Sequence, residues 1–123
     1  MKPFTYTRAE DAETAIELLA QTPNAKLLGA GTNLVDLMRE NVEQPDTLID
    51  VTGLPFDEIA ELPDGGVSIG AAVTNTAVAQ HRLIRERYPF LAQSILFGAS
   101  GQIRNMATVA GNLMQRSALL LLL

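Results

Sequence analysis

Along the first fifty residues the apolar positions switch repeatedly between strand and helix spacing. Phe4 to Thr7 is short and β-prone, and Thr7-Arg8-Ala9-Glu10 then has the Ser/Thr-x-x-Glu form of a capping box. The spacing predicts a helix starting here. Ala12, Ala15, Ile16, Leu18 and Leu19 fall on one broad face of it, while Glu10, Glu13 and Glu17 face water near the end where the helix dipole favours acids. Gln21-Thr22-Pro23-Asn24 stops it. Ala25 to Leu28 reads as a buried strand, Leu34 to Arg39 as a helix, and Thr47 to Val51 as the next strand. A compact strand-helix-strand-helix-strand unit is therefore expected.

From Asp57 the pattern becomes that of a hairpin, with Glu58 to Leu62, a Pro63-Asp64-Gly65-Gly66 turn, and Val67 to Gly70 in period-two alternation. Thr74-Asn75-Thr76 can cap a short helix ending near Gln80, and Arg82 to Arg87 forms another. Pro89 opens a further helix that runs into Gly98. The expected organisation is an amino-terminal α/β subdomain over residues 1–55 and the start of a second, incomplete subdomain over residues 56–123. Ala118 followed by Leu119 to Leu123 has no charge or turn signal and is far too short to span a bilayer. It reads as a truncated or frameshifted end.

Two glycine-bearing segments stand where apolar runs end: Leu28-Gly29-Ala30-Gly31-Thr32-Asn33-Leu34, and Ala107 to Leu113 within the loop expected from Ser100 to Arg116. Small residues beside Thr and Asn let bare backbone turn its N–H groups toward a phosphate oxygen. The first segment has the order strand, small-residue loop, helix, which brings free helix-end N–H groups to an anion. An ordinary turn, with Thr32 or Asn33 capping the helix, fits it as well. Two such segments about eighty positions apart suggest a grip on both sides of a diphosphate, hence a dinucleotide.

Composition narrows the choices. The chain has 123 residues and 47% hydrophobic content, enough for one small folded domain or part of a larger one. A net charge of -5 with scattered basic residues argues against nucleic acid. With zero Cys and one His, disulfides and thiolate metal sites are excluded within the chain, and no metal site is assigned. The amino terminus lacks a basic patch followed by an apolar segment, so no signal peptide is expected and cytoplasmic residence is the default. No nucleophile with its base and no carboxylate pair is evident, and no catalytic residue is assigned. His81 reads as a solvated residue, Arg104 and Asn105 as loop ties, and Met38, Met106 and Met114 as packing residues.

These segments and their order resemble the medium, flavin-binding subunit of the molybdenum hydroxylases, the family of xanthine dehydrogenase, carbon monoxide dehydrogenase and bacterial aldehyde oxidoreductases. Leu28 to Leu34 is similar to the family's first FAD pyrophosphate loop, and Thr108-Val109-Ala110-Gly111-Asn112 to the second. Gln102-Ile103-Arg104-Asn105, Leu113-Met114-Gln115-Arg116, Asp50-Val51 with Leu54, and Ile69-Gly70-Ala71 also match. The resemblance implies an α+β FAD-binding fold of the vanillyl-alcohol oxidase and p-cresol methylhydroxylase type, with two small subdomains, here truncated. It implies FAD held by Leu28, Gly29, Ala30, Gly31, Thr32, Asn33 and Leu34 together with Thr108, Val109, Ala110, Gly111 and Asn112.

By the same resemblance the flavin carries electrons from iron-sulfur clusters on a partner to an acceptor. The implied partners are a molybdenum-cofactor large subunit and an iron-sulfur small subunit, in a heterotrimer or its dimer; export to the periplasm would require a partner carrying the signal. Two departures stand out. Ser117-Ala118-Leu119 replaces a continuation that in some members carries a cluster-binding Cys. Ala110 stands where Gly is usual, which costs about 1 kcal/mol if φ is positive there and little if the backbone is extended. The alternatives are an assembly fragment without flavin and a stand-alone flavin oxidoreductase of the same fold.

Overall fold

The computed structural model describes residues 1–116. The Leu119 to Leu123 run and the Ser117-Ala118-Leu119 departure lie outside the described residues. Helices and strands are mixed, as the α+β class requires. The first half runs β1 (Thr5–Arg8), α1 (Ala12–Gln21), β2 (Ala25–Leu28), α2 (Leu34–Arg39) and β3 (Thr47–Asp50). The sheet order is β1-β3-β2 with all pairs parallel, so the last strand in sequence is the central one. Its Leu48 and Ile49 are buried to 2% and 0% exposure. Ala15 of α1 packs with Ile49, Ala9 and Leu54, and Leu18 and Ala25 close that cluster. Leu37 and Met38 of α2 are buried as well.

Three local expectations are corrected here. The cap of α1 is Asp11, whose carboxylate accepts from the Thr14 amide at 2.7 Å, so the Thr7-to-Glu10 box is not used. Thr7 is instead the third residue of β1, where the parallel ladder to Ile49 holds its backbone extended. The apolar face of α1 is narrower than its residue types suggest: Ala15 is buried, whereas Ile16 is 67% exposed and Leu19 39%. A three-stranded sheet gives the helix only a narrow surface to cover. For the same reason β2 is a half-exposed edge strand, with Leu27 45% exposed, and is not buried.

The second half runs β4 (Ile59–Glu61), β5 (Val67–Ile69), α3 (Asn75–Gln80), α4 (Arg82–Arg87), α5 (Pro89–Gly98), α6 (Gly101–Arg104) and α7 (Val109–Met114). β4 and β5 form the antiparallel hairpin. Val73, Val78, Ile84 and Ala92 make its core, with Ile59, Val67, Ile69, Ile95 and Val109 packed around them. Thr74 caps α3 through its hydroxyl at 3.2 Å from the Ala77 amide. His81 is half-buried and caps α4, its Nδ1 accepting from the Leu83 amide at 3.2 Å. Its solvated reading therefore gives way to a structural one. Met106 and Met114 are 58% and 85% exposed, so only Met38 of the three methionines is a packing residue.

Candidate functional site

The first glycine segment leaves the sheet at the carboxyl edge of β2. Leu28 still belongs to the ladder, pairing with Asp50 and accepting from the Val51 amide at 3.0 Å. The chain then turns through Gly31 at φ 81°, a conformation open to glycine at no steric cost. A Cβ on Gly31 would stand 2.8 Å from Cγ2 of Val35, the second residue of α2. Gly31 and Asn33 carbonyls accept from the Val35 and Leu37 amides, which starts the helix. The amides of Gly29, Ala30, Gly31, Thr32 and Asn33 themselves make no hydrogen bond among the described residues. Five successive donors on half-buried residues are thus left for a ligand or water in the cleft they line.

The second segment is built differently from the loop expected between Ser100 and Arg116. Most of that stretch is two short helices, α6 capped by Ser100 and α7 capped by Thr108. Val109, Ala110, Gly111 and Asn112 form the first turn of α7, and their amides are spent inside the protein. Val109 donates to the Val73 carbonyl at 2.9 Å and Ala110 to that of Ala71 at 3.0 Å. Gly111 donates to Thr108 Oγ1 at 3.2 Å and Asn112 to the Thr108 carbonyl at 2.9 Å. No positive φ occurs at Ala110, which is helical, so its methyl carries no backbone strain. The expected symmetry between the two segments therefore fails: one has backbone donors to offer, and the other supplies a fixed wall.

The fold nonetheless brings the two segments together. Thr108 Oγ1 lies between them, 3.3 Å from where a Gly29 Cβ would stand and 3.0 Å from a Gly111 Cβ. Glycine at both positions leaves the hydroxyl its room and keeps side chains off the contact. A clasp closes the arrangement across 83 positions: Asn33 Nδ2 donates to the Arg116 carbonyl at 3.0 Å, and the Arg116 amide donates to Asn33 Oδ1 at 3.2 Å. Arg116 Nη1 in turn meets Glu43 Oε1 at 3.0 Å.

Two adjoining clefts flank this junction. One of about 450 Å³, within the roughly 300–1,000 Å³ range of small-molecule sites, is lined among others by Thr32, Asn33, Ser94, Arg104, Asn112 and Gln115. The other, about 170 Å³, runs along Gly29 to Leu34 with Thr108 and Gly111 opposite and Lys26 at its edge. Thr32, Asn33, Gly111 and Gln115 border both. Of the twelve residues expected to hold FAD, Leu28, Val109 and Ala110 border neither cleft. Leu28 instead anchors the segment to the sheet, and Val109 and Ala110 anchor α7 to residues 71–73.

Arg104 works as the expected tie. Its Nη1 donates to the Leu96 and Ala99 carbonyls at 3.1 and 2.6 Å, closing the end of α5, while its buried Nε has no partner among the described residues. Asn105 Oδ1 accepts from the Thr76 hydroxyl at 2.7 Å. Sequence reasoning left out Gln115 as a site residue. Gln115 donates to Asn112 Oδ1 at 2.9 Å and lines both clefts. Its polar type just after the second segment was the available signal.

One buried charge stands behind the sheet edge. Asp50 is 8% exposed, and burial alone would push its carboxyl up. Hydrogen bonds from the Thr52 hydroxyl, the Tyr6 hydroxyl and the Thr52 amide, with the Arg8 charge nearby, outweigh that and hold it below the usual carboxylate value. The same bond raises the Tyr6 hydroxyl, first by tying up its proton and then by burial and the Asp50 charge.

Comparison with known proteins gives a consistent result. The family described as FAD binding domain in molybdopterin dehydrogenase matches residues 2–119. The aldehyde oxidoreductase FAD-binding subunit PaoB of Escherichia coli strain K12 is 48% identical over 117 residues, covering 95% of this chain and 37% of the relative. The xanthine dehydrogenase FAD-binding subunit of Escherichia coli O157:H7 is 33% identical over 110 residues, covering 89% of this chain and 38% of the relative. Among solved structures, carbon monoxide dehydrogenase from Hydrogenophaga pseudoflava superposes with a TM-score of 0.85 at 31% identity, over 92% of this chain and 40% of that one. The fold is thus that of the flavin-binding domain in these enzymes. The chain spans about two fifths of the length of the relatives it matches.

Proposed function

The chain belongs to the family of FAD-binding domains of the molybdopterin dehydrogenases, and we propose that it is the part of an FAD-binding electron-transfer subunit that grips the cofactor's diphosphate. The observation that carries this is the row of five amides from Gly29 to Asn33, uncommitted among the described residues, on a segment that lines one cleft with Thr108 and Gly111. A diphosphate satisfies such donors without needing a cationic side chain. A Cβ at 29 or 111 would crowd the Thr108 hydroxyl between them, so glycine at both positions lets the two segments approach closely beside the cleft. Leu28 and Leu34 hold the two ends of the first segment, in β2 and α2, and Ala30 and Thr32 lie between the glycines and the helix.

FAD, when bound, supplies the redox chemistry. The residues of this chain bind and orient it; they neither donate nor accept a proton. We place the boundary between the two subdomains near residue 55, so that the diphosphate lies between them. By the family resemblance set out from the sequence, the proposed electron source is the iron-sulfur clusters of a small subunit, themselves supplied by a molybdenum-cofactor large subunit. The electrons leave to an acceptor, in a heterotrimer or its dimer. No helix of the described residues is long and apolar enough to cross a membrane; separately, we propose a cytoplasmic location for the assembly.

Titration of the 123-residue chain with ADP, followed by amide NMR, tests the site. The Gly29 to Asn33 amides are expected to move most. Shifts confined to other residues, or none at millimolar ADP, overturn the assignment. A second reading, an assembly piece without flavin, draws on the exposure of Phe90, Phe97, Leu113 and Met114, at 81%, 89%, 78% and 85%. It predicts the null titration.

A further inference from the structure

Asn33 occupies the residue just before α2, where an Asn ordinarily accepts a bond from the helix amides. Its side chain makes no such bond. Both ends of the carboxamide are turned instead onto the backbone of Arg116, the Nδ2 donating and the Oδ1 accepting. The residue also borders both clefts and itself carries the last of the uncommitted amides. The clasp therefore joins the flank of the donor segment to the exit of α7, and it does so through the Arg116 peptide. The guanidinium of Arg116 is engaged elsewhere, on Glu43.

We propose that Asn33 is a positioning residue for the cofactor's diphosphate: by clasping the Arg116 peptide it holds the Gly29 to Asn33 amides at a fixed distance from the Thr108 and Gly111 wall. This rests on the diphosphate reading above. The role of Arg116 is set by its backbone, since its charge is matched by Glu43. Loss of these two exposed neutral hydrogen bonds is expected to read as roughly a tenfold weaker affinity.

The test is ADP titration of the 123-residue chain by amide NMR, with Asn33→Leu, Asn33→Ser and Arg116→Ala beside the wild type. Both Asn33 variants are expected to weaken ADP about tenfold, and Arg116→Ala, which keeps the clasped peptide, to bind within about twofold of wild type. The spectra of the Asn33 variants should change near residues 29–37 and 109–116 and match wild type elsewhere, a pattern that general destabilisation does not produce. Wild-type shifts at Gly29 to Asn33 combined with undiminished affinity in either folded Asn33 variant overturn the clasp and leave the diphosphate site standing. Weakening by Arg116→Ala equal to that by Asn33→Leu also overturns it, because the charge would then be the operative group. An absent wild-type response removes both proposals together.

Discussion

Replacing Gly31 by alanine asks an L residue to hold φ 81°. The left-handed region costs such a residue about 1–2 kcal/mol, and the stiffer unfolded chain returns only about 0.4–1 kcal/mol of that in the opposite sense by raising the unfolded state. The new methyl adds a second term. It would sit 2.8 Å from Val35 Cγ2, well inside the roughly 3.5–4.0 Å optimum for two carbons, and Val35 is β-branched on a helix, with one strongly preferred rotamer. Overpacking of this kind costs about 1–3 kcal/mol. The net expectation for Gly31→Ala is a loss of about 2 kcal/mol, or roughly 8 °C in melting temperature for a chain of this size. Guanidinium denaturation of the 123-residue chain measures it, and Val35→Ala separates the two terms. In the double variant the steric term disappears, leaving a coupling of about 1 kcal/mol between the positions. Gly31→Ala as stable as wild type, or no coupling to Val35, would refute the turn geometry on which the donor row depends.

Two further outcomes follow from groups outside the clefts. Asp50, Asp46 and Asp11 all sit below their ordinary carboxylate values in the folded chain: Asp46 through Lys2 and Asn24, and Asp11 through Thr14. Their stabilisation is complete above the unfolded pKa of about 3.9 and is lost as pH falls through the lower folded values, so urea melts from about pH 5 downward should show falling stability, with a shallower fall in Asp50→Asn. Tyr6, raised by the same bond, contributes in full below its unfolded value near 10 and loses that contribution above it; an alkaline limb unchanged in Tyr6→Phe would contradict the assignment. Separately, Asp11→Ala should cost about 1 kcal/mol as a lost helix cap, whereas Thr7→Val should lie within about 0.5 kcal/mol of wild type. A larger loss at Thr7 would restore the box that the structure sets aside.

The order of elements through β3 was legible because each apolar run kept its own period, and the paired segments were legible because small residues with Thr and Asn are rare at the ends of such runs. The donor asymmetry was not legible. Whether an amide near Gly111 is free depends on Ala71 and Val73, whose approach to α7 follows from the packing of α3 and α5 rather than from any local pattern. α7 itself was missed because Val109-Ala110-Gly111-Asn112 has poor helix propensity; its Thr108 cap was the only local sign. The clasp from Asn33 to Arg116 has no local signature at all. Ile16 was misassigned because residue type does not say how wide the sheet beneath a helix is.

The central place of β3 has a consequence in time. β1 and β2 do not pair with each other; each pairs only with β3. During synthesis, then, the first forty-six residues hold two strands and two helices with no sheet to lie on, and the parallel ladder becomes possible only as Thr47 to Asp50 emerge. The turn at Gly31 is made early but is given its anchorage late, when Val51 closes onto Leu28. Chain ends that stop short of residue 51 should therefore yield no partial version of this unit, and its folding rate should be governed by closure of the loop from β1 to β3.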